Sequence, residues 1–203
     1  MTEATTPPDP ARVSKGSGIP LDRFLDDLEA PAPSPCGGTA AAVVAAMAAA
    51  LVTMVARGSK DWTDGAGIAS QARALRARLT TLGDDDAAIF ARVIATMRDR
   101  SGSSEQRDFV LGEVLVEAAA VPLRIAEAAA DVAELAALAA AEGSPHLRPD
   151  ATAAATLAEA AVRAAAHLVE INLATVRGDR HSTRAALLVT AATTARARAL
   201  GTA

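Results

Sequence analysis

Residues 40–56 form a run of 17 that is apolar except for Thr53, and this run limits what the chain can fold into. Alanine, the best helix former, dominates it, so the segment predicts a helix that is apolar on every side. Such a helix needs either a bilayer or a jacket of other helices. Seventeen residues sit at the bottom of the range for spanning a bilayer. Alanine also contributes much less to insertion than leucine or valine, and no Trp or Tyr stands directly beside the run. The segment is therefore read as the core helix of a bundle, with no membrane span.

The approach to this helix is Pro33-Ser34-Pro35-Cys36-Gly37-Gly38-Thr39. Two prolines stop any helix before Cys36, and the glycines let backbone come close to its neighbours. The free N–H groups of the helix start then either serve a turn that merely packs a core helix or bind an anion, carbonyl or carboxylate. About a quarter of the chain is alanine, only 2% is aromatic, and alternating β-branched runs are scarce. The fold class that follows is all-α: a compact bundle of about five to seven helices around the alanine-rich one. A chain of 203 residues suits one domain, here 19–203, behind a Thr-, Pro-, Ser- and Gly-rich flexible tail, 1–18. A net charge of −4 gives no general attraction to nucleic acid. A single cysteine excludes an internal disulfide framework, and residues 1–10 lack a signal-peptide pattern, so the expectation is cytoplasmic.

Leu21, Phe24, Leu25 and Leu28 recur at helical spacing and predict a short first helix ended by Pro31. After a loop at 58–67, a third helix carries the stripe Ile68, Ala72, Leu75, Leu79, Leu82, Asp86, Ile89, Val93 and Met97. Every member but Asp86 is apolar, while Asp84 and Asp85 fall off the stripe. A carboxylate on a buried face is costly unless bonded or facing a cavity. It is either a tether to a neighbouring helix or an acid/base group. Gly83 is a possible break in this helix. Pro122 is expected to kink or divide the next one. Gly143–Pro149 reads as a loop with Asp150 capping the following helix, which Gly178 ends. The last segment, 183–200, is only weakly periodic and reads as an exposed terminal helix.

No phosphate loop, dinucleotide fingerprint or His-Cys metal spacing is present, and no metal or cofactor is expected. Cys36 at a helix start is either an activated nucleophile or a buried inert thiol, the second being the commoner outcome.

Taken in order, these motifs resemble the cyclodeaminase domain of formiminotransferase-cyclodeaminase and the related bacterial methenyltetrahydrofolate cyclohydrolases. The resemblance covers 21–176. It is carried by Leu21-Asp22-Arg23-Phe24-Leu25, the turn at 33–39, Met54-Val55, Asp84-Asp85-Asp86-Ala87-Ala88-Ile89-Phe90, Val121-Pro122-Leu123, Pro149-Asp150 and Ile171-Asn172-Leu173. It implies an all-helical homodimer that opens or closes the one-carbon bridge of an amidine or iminium ring, with a reduced folate as the first candidate substrate. It places the catalytic carboxylate on Asp86 and implies substrate contacts from Cys36, Gly37, Gly38, Thr39, Asp150 and Asn172. Cys36 stands where the family turn has glycine, Ser144 where it has asparagine, Pro149 where it has serine, and Leu168 where it has asparagine. Losing polar groups at Pro149 and Leu168 predicts weaker reduced-folate binding than in full-motif relatives. The alternatives are a small-molecule cyclase or hydrolase of specialised metabolism on the same scaffold, or a helical dimer without catalysis that serves as a partner protein.

Overall fold

The computed structural model describes residues 20–30, 35–174 and 180–202. It contains α1 (Leu21–Glu29), α2 (Gly37–Gly58), α3 (Gly65–Arg98), α4 (Ser104–Glu142), a 3-10 turn (Pro145–Leu147), α5 (Arg148–Asn172) and α6 (Arg180–Leu200), with no strand among the described residues. The expected 1–18 tail, the Pro31 stop and the Gly178 terminus lie outside those residues. Ala30, just before Pro31, is extended at ψ 141°, the backbone that a following proline imposes.

The core is made largely of alanine. α2 packs on α3, α4 and α5, and α4 on α2, α3, α5 and α6. Ala42, Ala45, Ala48, Ala49, Ala126 and Ala133 are fully buried. Side chains this small let helix axes close to about 8 Å. The largest fully buried side chains are Leu79, Leu82, Ile125, Val52, Val55, Val132, Val162 and Val169. α2 is the one described helix long and apolar enough to cross a bilayer, and half of its most hydropathic stretch is buried in the bundle.

Several local expectations are corrected. α3 begins at Gly65 rather than after Gly67, and it runs unbroken through Gly83, whose missing side chain faces Ala42 and Thr39. α4 is not divided at Pro122 but continues for 39 residues. Proline has no N–H, so the Ala118 carbonyl one turn back loses its helical partner. The Asn172 side-chain amide replaces it, donating from Nδ2 to Ala118 O at 3.1 Å. α6 is not an exposed appendage: Ala185, Leu188, Ala192, Ala195 and Ala199 are buried against α4 and α5. The cap of α5 also differs. The 3-10 turn leads straight into the helix, Leu147 is the N-cap, and Asp150 lies within the first turn, where its charge suits the helix dipole.

Candidate active site

α3 presents Asp86 on its buried face, one turn after Leu82 and one before Ile89, and leaves it only 4% exposed. The start of α2 comes to meet it. Cys36 is the N-cap residue, extended at φ −117° and ψ −171°, and its Sγ donates to Asp86 Oδ2 at 3.0 Å. Thr39 Oγ1 lies 3.1 Å from the same oxygen and 3.2 Å from Gly83 O. Its single proton therefore serves one acceptor at a time. Between them Gly38 supplies the space. A Cβ built there falls 2.6 Å from Asp86 Oδ2 and nearer still to Oδ1, so only glycine admits the carboxylate at this distance. The space at the start of α2 is thus filled by the chain's own Asp86, held by the Cys36 and Thr39 side chains.

Burial pushes the Cys36 thiol up to about 12, with the charge of Asp86 and the hydrogen bond to it acting in the same direction. Cys36 remains a protonated donor at neutral pH, which removes the activated-nucleophile reading.

Among the described residues Asp86 has no basic partner, and this separates it from Glu159, the other buried carboxylate. Glu159 sits 2.9 Å from Arg163 and 3.5 Å from Arg196, and Thr193 donates to it at 3.0 Å. Burial pushes the Glu159 carboxyl up, but the bonds from Arg163 and Thr193 and the charges of Arg163 and Arg196 outweigh this and hold it below the usual range. Glu159 is a paired structural charge tying α5 to α6. Asp86 has only neutral donors, which leaves it free to face a cationic group or to exchange a proton. The same reasoning from an apolar stripe, applied to α5, would have found Glu159.

Of the other predicted contacts, Gly37 adjoins the Asp86 cluster and faces α5, with Leu168 Cδ1 3.9 Å from where its Cβ would lie. Asn172, one turn further along, reaches the same end of the bundle but spends one amide proton on Ala118. Asp150 is not brought there within one chain. Leu147, three residues before it, lies against Gly58 at the opposite end of α2. The 18 positions from Asp150 to Leu168 correspond to about 27 Å along α5. Among the described residues no three His, Cys, Asp or Glu side chains gather as a metal site.

The family model described as Formiminotransferase-cyclodeaminase matches residues 20–188. The chain belongs to this family. It is 33% identical over 162 residues to the methenyltetrahydrofolate cyclohydrolase of Methylorubrum extorquens, covering 75% of this chain and 78% of that protein. It is 36% identical over 117 residues to the formimidoyltransferase-cyclodeaminase of Rattus norvegicus, covering 53% of this chain but only 22% of that longer protein. The crystal structure of formiminotetrahydrofolate cyclodeaminase from Thermotoga maritima superposes with a TM-score of 0.79 at 26% identity, covering 91% of this chain and 96% of that one.

Proposed function

We propose that this chain is a cyclohydrolase or cyclodeaminase acting at the one-carbon bridge of a reduced folate, with Asp86 as its proton-transferring carboxylate. The observation that carries the reading is a buried aspartate with neutral donors and no cation of its own, in a chain whose relatives are named for these reactions. A methenyl bridge is an amidinium, and its positive carbon supplies the charge that Asp86 lacks. In the hydrolytic direction water adds to that carbon. The C–O bond forms as the C=N pair moves onto nitrogen, and the water proton passes to Asp86. One C–N bond then breaks, the departing nitrogen takes the proton from Asp86, and the hydroxyl proton leaves to solvent as the formyl carbonyl forms. In the deaminating direction Asp86 passes a proton to departing ammonia.

Asp86→Asn tests this directly, because it keeps size and much of the hydrogen bonding but cannot accept the proton. Turnover of methenyl- or formimino-tetrahydrofolate is expected to fall about a hundredfold or more, with a modest change in melting temperature. Full activity in this variant overturns the mechanism.

A second reading rests on Leu168. Its apolar side chain borders Gly37 beside the cluster and favours a small-molecule substrate less polar than folate. Calorimetry with methenyl- and formyl-tetrahydrofolate separates the two, since saturable binding with turnover restores folate. The chain is further proposed to work as a homodimer. Met47 (52% exposed) and Met54 (40%) on α2 leave an apolar flank uncovered. The chain is also proposed to act in the reducing cytoplasm, where the free thiol of Cys36 stays reduced.

A further inference from the structure

The cluster carries more than the placement of one carboxylate. Two donors from the first turn of α2, Cys36 Sγ at 3.0 Å and Thr39 Oγ1 at 3.1 Å, converge on Oδ2. Among the described residues Oδ1 accepts no hydrogen bond, and it is the carboxylate oxygen packed closest to where a Cβ of Gly38 would stand. The two oxygens are thus unequal before any ligand arrives. We propose that Cys36 is a positioning residue which, with Thr39, pins Oδ2 of Asp86 and leaves Oδ1 as the oxygen that takes and gives the proton. This rests on the reading of Asp86 as the proton-transferring group.

The donors differ in what they tolerate. Thr39 has an alternative acceptor in Gly83 O at 3.2 Å, so it can turn its proton away and receive one from a protonated Asp86. Cys36 stays a thiol, with its S–H aimed at Oδ2. A proton placed on Oδ2 disrupts the acceptor that both donors use, whereas one on Oδ1 leaves both bonds intact. The acid form therefore carries its proton on Oδ1. The charged groups on the elements around this end of the bundle are engaged among themselves. Asp85 lies 3.7 Å from Arg124 of α4, Arg92 bonds Glu117 of α4 at 2.6 and 3.0 Å, and His167 lies 3.8 Å from Glu170 on α5. Among the described residues Cys36 is the titratable side chain hydrogen-bonded to Asp86.

The test has two arms on the full chain. First, because the protein holds one cysteine, iodoacetamide alkylation followed by intact mass reports Cys36 alone. At pH 8 the folded wild type is expected to react slowly and folded Asp86→Asn at least tenfold faster, since the carboxylate charge that opposes thiolate formation is gone. Second, Cys36→Ala and Thr39→Val are each expected to lower kcat at least tenfold with KM little changed, and Cys36→Ser to restore it. A structural role in packing predicts neither that split between kcat and KM nor rescue by serine. An unchanged alkylation rate in folded Asp86→Asn overturns the proposal. So does a kcat that stays put in both Cys36→Ala and Thr39→Val. If Asp86→Asn does not fold, the second arm decides alone. Full turnover in Asp86→Asn is a separate result that overturns the proposed function, while the alkylation arm still reports the contact.

Discussion

Gly38→Ala makes the sharpest demand on the site. The new Cβ would fall 2.6 Å from Asp86 Oδ2 and closer to Oδ1, so the carboxylate must retreat by about 1 Å to reach ordinary contact. That movement breaks or stretches the bonds from Cys36 and Thr39. A hydrogen bond to a charged group contributes about 1.5–3 kcal/mol, and the weak S–H donor lies below that range. Exchanging glycine for alanine in a helix returns up to about 1 kcal/mol. The net is a loss of about 2 kcal/mol, read as a fall in melting temperature of about 4–8 °C for a chain of this size. Misplacing a reacting group by 1 Å costs about a hundredfold in rate, so turnover should fall much further than stability. Circular dichroism melts and spectrophotometric hydrolysis of methenyl-tetrahydrofolate give both numbers. Gly83→Ala is the control in the same neighbourhood: its Cβ lands 3.5 Å from Ala42 Cβ, an ordinary contact. It should gain about 0.5–1 kcal/mol. A Gly38→Ala protein with unchanged melting and full turnover would refute the seating of Asp86 on the first turn of α2.

Asn172→Leu leaves the Ala118 carbonyl without a partner and should cost about 1–3 kcal/mol in urea unfolding. The penalty should shrink in a Pro122→Ala background, where residue 122 regains its N–H. Glu159 has a folded pKa below its ordinary value of 4.5. Its contribution to stability is therefore complete above about that pH and is lost as pH falls through the lower folded value. Glu159→Gln should flatten the acid side of a melting-temperature profile, and an unaltered slope would contradict the pairing. Met47→Glu should turn a dimer into a monomer in light scattering if the α2 flank is the interface, and a wild type that is monomeric at micromolar concentration would refute that assembly.

Asp86 was legible because a single polar residue interrupts a stripe of large apolar side chains, a contrast that needs no knowledge of the partner. Its contact with Cys36 was not, because 50 residues separate them and only the docking of α3 on α2 joins them. The buried face of α6 follows regular three- and four-residue steps, but four of its five members are alanine, whose small apolar surface gives periodicity little amplitude. Pro122 misled for a related reason. The cost of an interior proline is local, while its compensation comes from Asn172 on another helix. Asp150 looked like a cap because of its residue type, but the Pro145–Leu147 turn had already started the chain into helical geometry before it.

A core filled with alanine has a mutational profile opposite to that of an ordinary one. Trimming a side chain is the usual route to a damaging cavity, yet at Ala42, Ala45, Ala126 or Ala133 only one methyl group remains to be removed. Growth is what these positions cannot absorb. Each added methylene must push two closely spaced helices apart, and the displacement passes along both. Random drift in such a chain is therefore screened mainly against enlargement. Among descendants, variation should collect on the outer faces and at the few large buried side chains, while the tightest helix contacts keep their small residues whatever the substrate becomes.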